Sequence, residues 1–111
     1  MIKHLALIAL LSTAGTARAE GEFRSVQDLL YDCHLEAADS FKNGTHYGRC
    51  IGYLEAVFDA ASLIHACPSG AITYGQEMAI FTNWAQRNPK TWREYQLFGV
   101  IQAYQEAWPC K

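Results

Sequence analysis

From Val26 onward, apolar residues recur at three- and four-residue intervals with polar residues between them. That spacing puts the apolar set on one face of successive α-helices. The first run is Val26, Leu29, Leu30, Cys33 and Ala37, preceded by Ser25 and Asp28, which resemble a capping box. Asp28, Asp32, Glu36 and Asp39 fall on the other face, expected to be solvated, so the pattern predicts an amphipathic helix of about 15 residues. The stretch Phe41 to His46, with Asn43-Gly44 inside it, predicts a turn. Asn43-Gly44-Thr45 is formally a glycosylation sequon, but the turn is the preferred reading.

A second helix is expected from about Gly48 to His65, on Ile51, Leu54, Val57, Phe58, Ala61 and Ile64. Gly52 within it costs about 1 kcal/mol against Ala, which close approach of a neighbouring helix would explain. Pro68, Ser69 and Gly70 end that helix. Thr73-x-x-Gln76 is a second capping box, opening a helix with Met78, Phe81 and Ala85 on one face and Ile80 and Trp84 beside them. Arg87-Asn88-Pro89 is punctuation: Asn88 suits an N-cap and Pro89 a first-turn position. The last helix carries Tyr95, Phe98, Ile101 and Trp108 as its stripe, flanked by Leu97 and Tyr104, and stops at Pro109. No alternating strand run and no glycine-rich phosphate loop occurs. The expected fold is all-α, a small bundle of about four helices whose short loops favour an up-down order.

The N-terminus has a different pattern. Met1 to His4 is short and basic, Leu5 to Leu11 is unbroken apolar, and Ala17-Arg18-Ala19 places small residues at a cleavage site. The apolar run is far short of the roughly 20 residues of a membrane span. Residues 1–19 are therefore expected to be a cleaved secretory signal, leaving residues 20–111 as one domain in the periplasm. Loss of Lys3 and Arg18 leaves seven cations against eleven acids, a net charge of −4. The cations are scattered singly, which argues against nucleic acid and against an anionic membrane as partners.

Export changes the meaning of the four cysteines. In a short chain in an oxidising compartment they read as two disulfides. Cys33, Cys50 and Cys67 are spaced evenly with no C-x-x-C pair, so neither a zinc clip nor a redox motif is indicated. Cys50 and Cys67 lie at two ends of one expected helix, roughly 25 Å apart at 1.5 Å per residue, too far to bond. Cys33 and Cys50 can meet across the first helical hairpin. Cys67 and Cys110 each end a helix at the same pole of an up-down bundle. The expected bonds are Cys33–Cys50 and Cys67–Cys110.

Candidate chemistry is thin. His34, His46 and His65 have no partner at catalytic or metal spacing, and acid pairs such as Asp28/Asp32 sit on a face expected to be solvated. The sequence therefore predicts neither an enzyme nor a cofactor or metal site. The aromatics near loops, Tyr47, Tyr74 and Trp92, are candidates for a binding surface.

Several motifs occur in order: Cys50-Ile51-Gly52-Tyr53, Asp59-Ala60, Cys67-Pro68, Thr73-Tyr74-Gly75-Gln76, Asn88-Pro89 and Trp108-Pro109-Cys110. Over residues 26–110 this set resembles the Rap/Tai family, the immunity proteins of type VI secretion amidase effectors. The resemblance implies a small all-helical periplasmic protein, able to form a homodimer, that binds an incoming peptidoglycan amidase and blocks its cleft. Among the matched residues, Gly52, Tyr53, Asp59, Pro68, Gln76, Pro89 and Pro109 are expected to be structural. The inhibitory contact is then expected from the loops 68–75 and 86–92, which carry Tyr74 and Trp92 beside Arg87, Lys90 and Arg93. The rival reading is a periplasmic acid-stress chaperone, small, helical and disulfide-bonded, that loosens at low pH.

Overall fold

Ser25 caps the first helix as its spacing predicts. Its hydroxyl accepts from the Asp28 backbone N–H at 3.1 Å, and the Asp28 carboxylate accepts from the Ser25 N–H at 3.0 Å. The computed structural model describes residues 23–34 and 40–111. Within them run α1 (Val26–His34), α2 (Ser40–Asp59), α3 (Tyr74–Arg87) and α4 (Gln96–Ala107), with 3-10 turns at Ala61–Ile64 and Pro89–Thr91. The expected signal segment 1–19 lies outside the described residues, as do Ala37, Glu36 and Asp39 of the expected first helix.

The core is built where the four helices meet. Val26, Leu29 and Cys33 of α1, Cys50 and Leu54 of α2, Phe81 and Ala85 of α3, and Val100 and Tyr104 of α4 are all buried. The Tyr104 hydroxyl crosses this core and donates to the Leu54 carbonyl at 3.0 Å, so the one polar atom of a large core ring is satisfied. The all-α, disulfide-stapled bundle is what the periodicity predicted.

Its order departs from a strict up-down arrangement. Such an order would put the start of the first helix beside the end of the last. Here the two starts are joined instead: Val26 N–H donates to the Glu94 carbonyl at 2.8 Å, and Gln96 N–H donates to Arg24 at 3.0 Å. A short antiparallel bridge pairs Ser25 with Tyr95, and another pairs Ala66 with Pro109.

Three local expectations are corrected. Asn43-Gly44 is no turn but lies inside α2, whose first turns are held from outside, since His46 reaches Asp32 of α1 and Cys50 bonds Cys33. Tertiary contacts here outweigh the roughly 1 kcal/mol propensity cost of the glycine. At the other end α2 stops at Asp59, and the expected helix to His65 tightens into the 3-10 turn, closed by His65 in the left-handed region (φ 56°). On α4 the buried face is Gln96, Gly99, Val100, Ala103 and Tyr104, whereas Tyr95 and Phe98 of the expected stripe are 49% and 41% exposed.

The glycine argument also moves. At Gly52 an added Cβ would meet nothing within 4 Å. At Gly99 it would stand 2.7 Å from Val26 Cγ2 and 3.3 Å from Trp84 Cζ3, so Gly99 is where helices approach closely. Both expected disulfides are present, with Cα atoms 5.0 Å apart for Cys33–Cys50 and 5.1 Å for Cys67–Cys110.

Candidate functional site

The segment between α3 and α4 is pinned at each step. Asn88 is at once the C-cap of α3 and the N-cap of the Pro89–Thr91 turn, its side-chain amide donating to the Trp84 carbonyl at 2.7 Å. Pro89 then opens the 3-10 turn, and Thr91 Oγ1 donates to the Asn88 carbonyl at 2.7 Å. Trp92 follows with its indole N–H donating to the Ala85 carbonyl at 2.7 Å, while its own carbonyl accepts from the Gln27 N–H at 3.0 Å. The half-buried ring is thus a fixed wall. Between it and α1 lies a shallow groove of about 300 Å³, lined by Gln27, Leu30, Tyr31, His34, Gln86 and Trp92. Lys90 and Arg93, on either side of Trp92, are exposed.

Beside the groove is a charge cluster that helix phase did not reveal. Asp32 was expected to face solvent, yet it is 2% exposed. The Arg24 guanidinium binds one carboxylate oxygen, and His46 Nδ1 meets the other at 2.7 Å. Arg49 Nε stands 3.9 Å away. Burial of the carboxylate is tolerable because it is paired and hydrogen-bonded. The rings of Tyr31, itself 60% exposed, and His46 meet nearly perpendicular with centroids 5.3 Å apart, so the cluster and the groove share a wall. The partners of Asp32 come from positions 8 and 14 residues away. Only the fold brings them together.

The five residues expected to contact a partner divide into two groups. Arg87, Lys90, Trp92 and Arg93 cluster at the C-terminal end of α3, where Arg87 bonds Glu106 of α4 at 2.9 Å on the surface. Tyr74 begins α3, 54% exposed, roughly 20 Å away at 1.5 Å per residue. One narrow contact cannot use both.

A second buried acid lies three residues after Tyr74. Glu77, 2% exposed, occupies the core stripe of α3 with Phe81, Trp84 and Ala85. Burial, then a hydrogen bond with Glu55 and the charges of Glu55 and Asp59, push its carboxyl up to about 7. One of its oxygens, Oε1, has no hydrogen-bond partner. Its spacing from Phe81 and Ala85 was a legible signal of burial; its charge argued the other way. Burial likewise raises the Tyr104 phenol well above its ordinary value, and pushes that of Tyr53 up to about 12, with Tyr95 beside it.

Four of the motif residues lie at the ends of elements. Gln76 completes the α3 capping box, its side chain accepting from Thr73 N–H at 2.8 Å. Pro109 pairs with Ala66, Asp59 ends α2, and Pro68 begins the connection to α3. Among the described residues, no group of three or more His, Cys, Asp or Glu side chains is placed to hold a metal ion. None of the described helices is long and apolar enough to cross a membrane.

A family model described as Rap1a immunity proteins matches residues 25–110, from the α1 cap to the last cysteine. The chain belongs to that family. No curated protein and no solved structure matches it.

Proposed function

We propose that this member of the Rap1a immunity family is a periplasmic protein that binds and inhibits a type VI secretion peptidoglycan amidase effector. The observation that carries the reading is the family match across all four helices. An immunity protein protects by occupying its effector, which asks for a durable scaffold and an ordered contact surface rather than for a catalytic group of its own. Two disulfides suit an oxidising compartment. The contact surface proposed is the Trp92 end, with Arg87, Lys90 and Arg93 around a rigid aromatic wall and Tyr74 as a separate contact. Held tryptophans beside cations supply interface energy at small ordering cost.

The acid-chaperone reading requires a seam that opens on protonation. The Glu55–Glu77 contact does not supply such a seam, because burial and the Glu55 charge raise the Glu77 carboxyl and protonation there favours the folded form.

The test is inhibition of a purified type VI peptidoglycan amidase by oxidised residues 20–111. Hydrolysis of a cross-linked muropeptide is expected to fall at equimolar protein. Trp92→Ala, with helicity checked, should weaken binding about tenfold or more. Lys90→Glu with Arg93→Glu should slow association and flatten its salt dependence. Full hydrolysis with every amidase tried would remove the reading. Inhibition unchanged by all three substitutions would remove only the surface.

A further inference from the structure

The two disulfides occupy opposite environments. Cys33 and Cys50 are 4% and 0% exposed, in the core between α1 and α2. Cys67 and Cys110 are both exposed. Thiol–disulfide exchange begins when a thiolate reaches a sulfur, so access decides which bond reacts from the folded state. Cys33–Cys50 is reached only after α1 separates from α2. Cys67–Cys110 is reached without any opening.

What the exposed bond holds is local. The Cys67 N–H donates to the Trp108 carbonyl at 2.8 Å, Ala66 pairs with Pro109, and the Trp108 ring packs on Phe58 and Tyr104 at 5.6 and 4.9 Å. Cys67 immediately precedes the connection to α3 that starts at Pro68. Among the described residues, 68–72 take part in no backbone hydrogen bond. That connection is anchored by the Cys67 contacts at one end and by the Thr73–Gln76 capping box at the other. Tyr74, the first residue of α3, follows directly.

We propose that Cys67–Cys110 is a redox-exchangeable clasp, a substrate for dithiol reductants, whose opening frees residues 67–72 and the C-terminus while Cys33–Cys50 keeps the bundle closed. A thiolate of the dithiol attacks one sulfur of the pair, the old S–S bond breaks as the new one forms, and the other cysteine leaves as a thiolate that takes a proton. The second thiol of the reductant displaces the mixed bond. Cys67 and Cys110 end as thiols and the reductant as its own disulfide, with two electrons transferred. The inference does not depend on the immunity reading.

The oxidised chain is treated with dithiothreitol, quenched with iodoacetamide, and mapped by peptide mass while helicity is followed by circular dichroism. Cys67 and Cys110 should label together, in proportion to reductant and at least about tenfold faster than Cys33 and Cys50, whose rate levels off once opening limits it. The two-thiol species should retain its helicity and show faster amide exchange in 67–72. The double variant Cys67→Ser with Cys110→Ser should reproduce both properties without reductant. Equal labelling rates, lost helicity with the first bond, or an unfolded double variant would each overturn the proposal.

Discussion

Gly99 lets α1 and α3 approach α4, since Val26 and Trp84 fill the space a side chain would take. Gly99→Ala should therefore cost about 1–3 kcal/mol through overpacking. Gly52→Ala meets open space on an exposed helix face and should gain about 1 kcal/mol; urea melts of both variants check the pair. Glu77 is the other residue with an outsized effect. Its folded pKa lies above the ordinary carboxyl value, so its contribution is fully present below about 4.5 and is lost as pH rises to about 7. Glu77→Gln should raise the melting temperature at pH 8, by an amount equivalent to roughly 1–3 kcal/mol, and change little at pH 4. Thermal melts across that range would test the sign. Asp28 works in the opposite direction, because the Ser25 backbone N–H favours its charged form and its pKa is lowered. Helix capping by Asp28 should be intact above the ordinary carboxyl range and weaken as pH falls below it.

The starts of α1 and α3 are stabilised by local capping boxes, whereas the start of α4 is held by the Arg24 carbonyl before α1. The α3 capping box is complete, with Thr73 Oγ1 accepting from the Gln76 N–H at 3.2 Å and Gln76 answering Thr73. Thr73→Ala should cost about 1 kcal/mol, read by chemical denaturation, and should raise amide exchange first at the start of α3. Both capping boxes were legible because their donors and acceptors lie three residues apart. The extension of α2 across Asn43-Gly44 was not, because what holds it is Asp32 on another helix. The same applies to α4. Tyr95 and Phe98 belong to a sound helical stripe, but the start of α1 and the close packing at Gly99 decide which face turns inward.

Across the molecule, both disulfides lower the entropy of the unfolded chain, by roughly 3 and 4 kcal/mol for the shorter and longer loops. Replacing each pair by serine has unequal further effects. Cys33→Ser with Cys50→Ser also buries two hydroxyls in the core and should lower the melting temperature more than Cys67→Ser with Cys110→Ser does. Calorimetry of the two double variants would reverse this account if the order were the other way. At the same scale, the Trp92 groove is assembled from α1, the end of α3 and the connection after it. Trp92 was legible as an aromatic near a loop. Leu30, Tyr31 and Gln27 were not, since each appeared as an ordinary position on one amphipathic helix.

By itself the sequence determined what local spacing encodes: four helical periods, two capping boxes, the stops before Pro89 and Pro109, and the exclusion of one cysteine pairing by the reach of a helix. Those are interactions over a few residues, or lengths set by helix rise. The tertiary structure alone decided that Asp32 and Glu77 are buried acids, that Gly99 rather than Gly52 is the close contact, and that α1 and α4 start together. Each depends on which surfaces meet across tens of residues, and periodicity marks which residues share a face without stating what that face will touch.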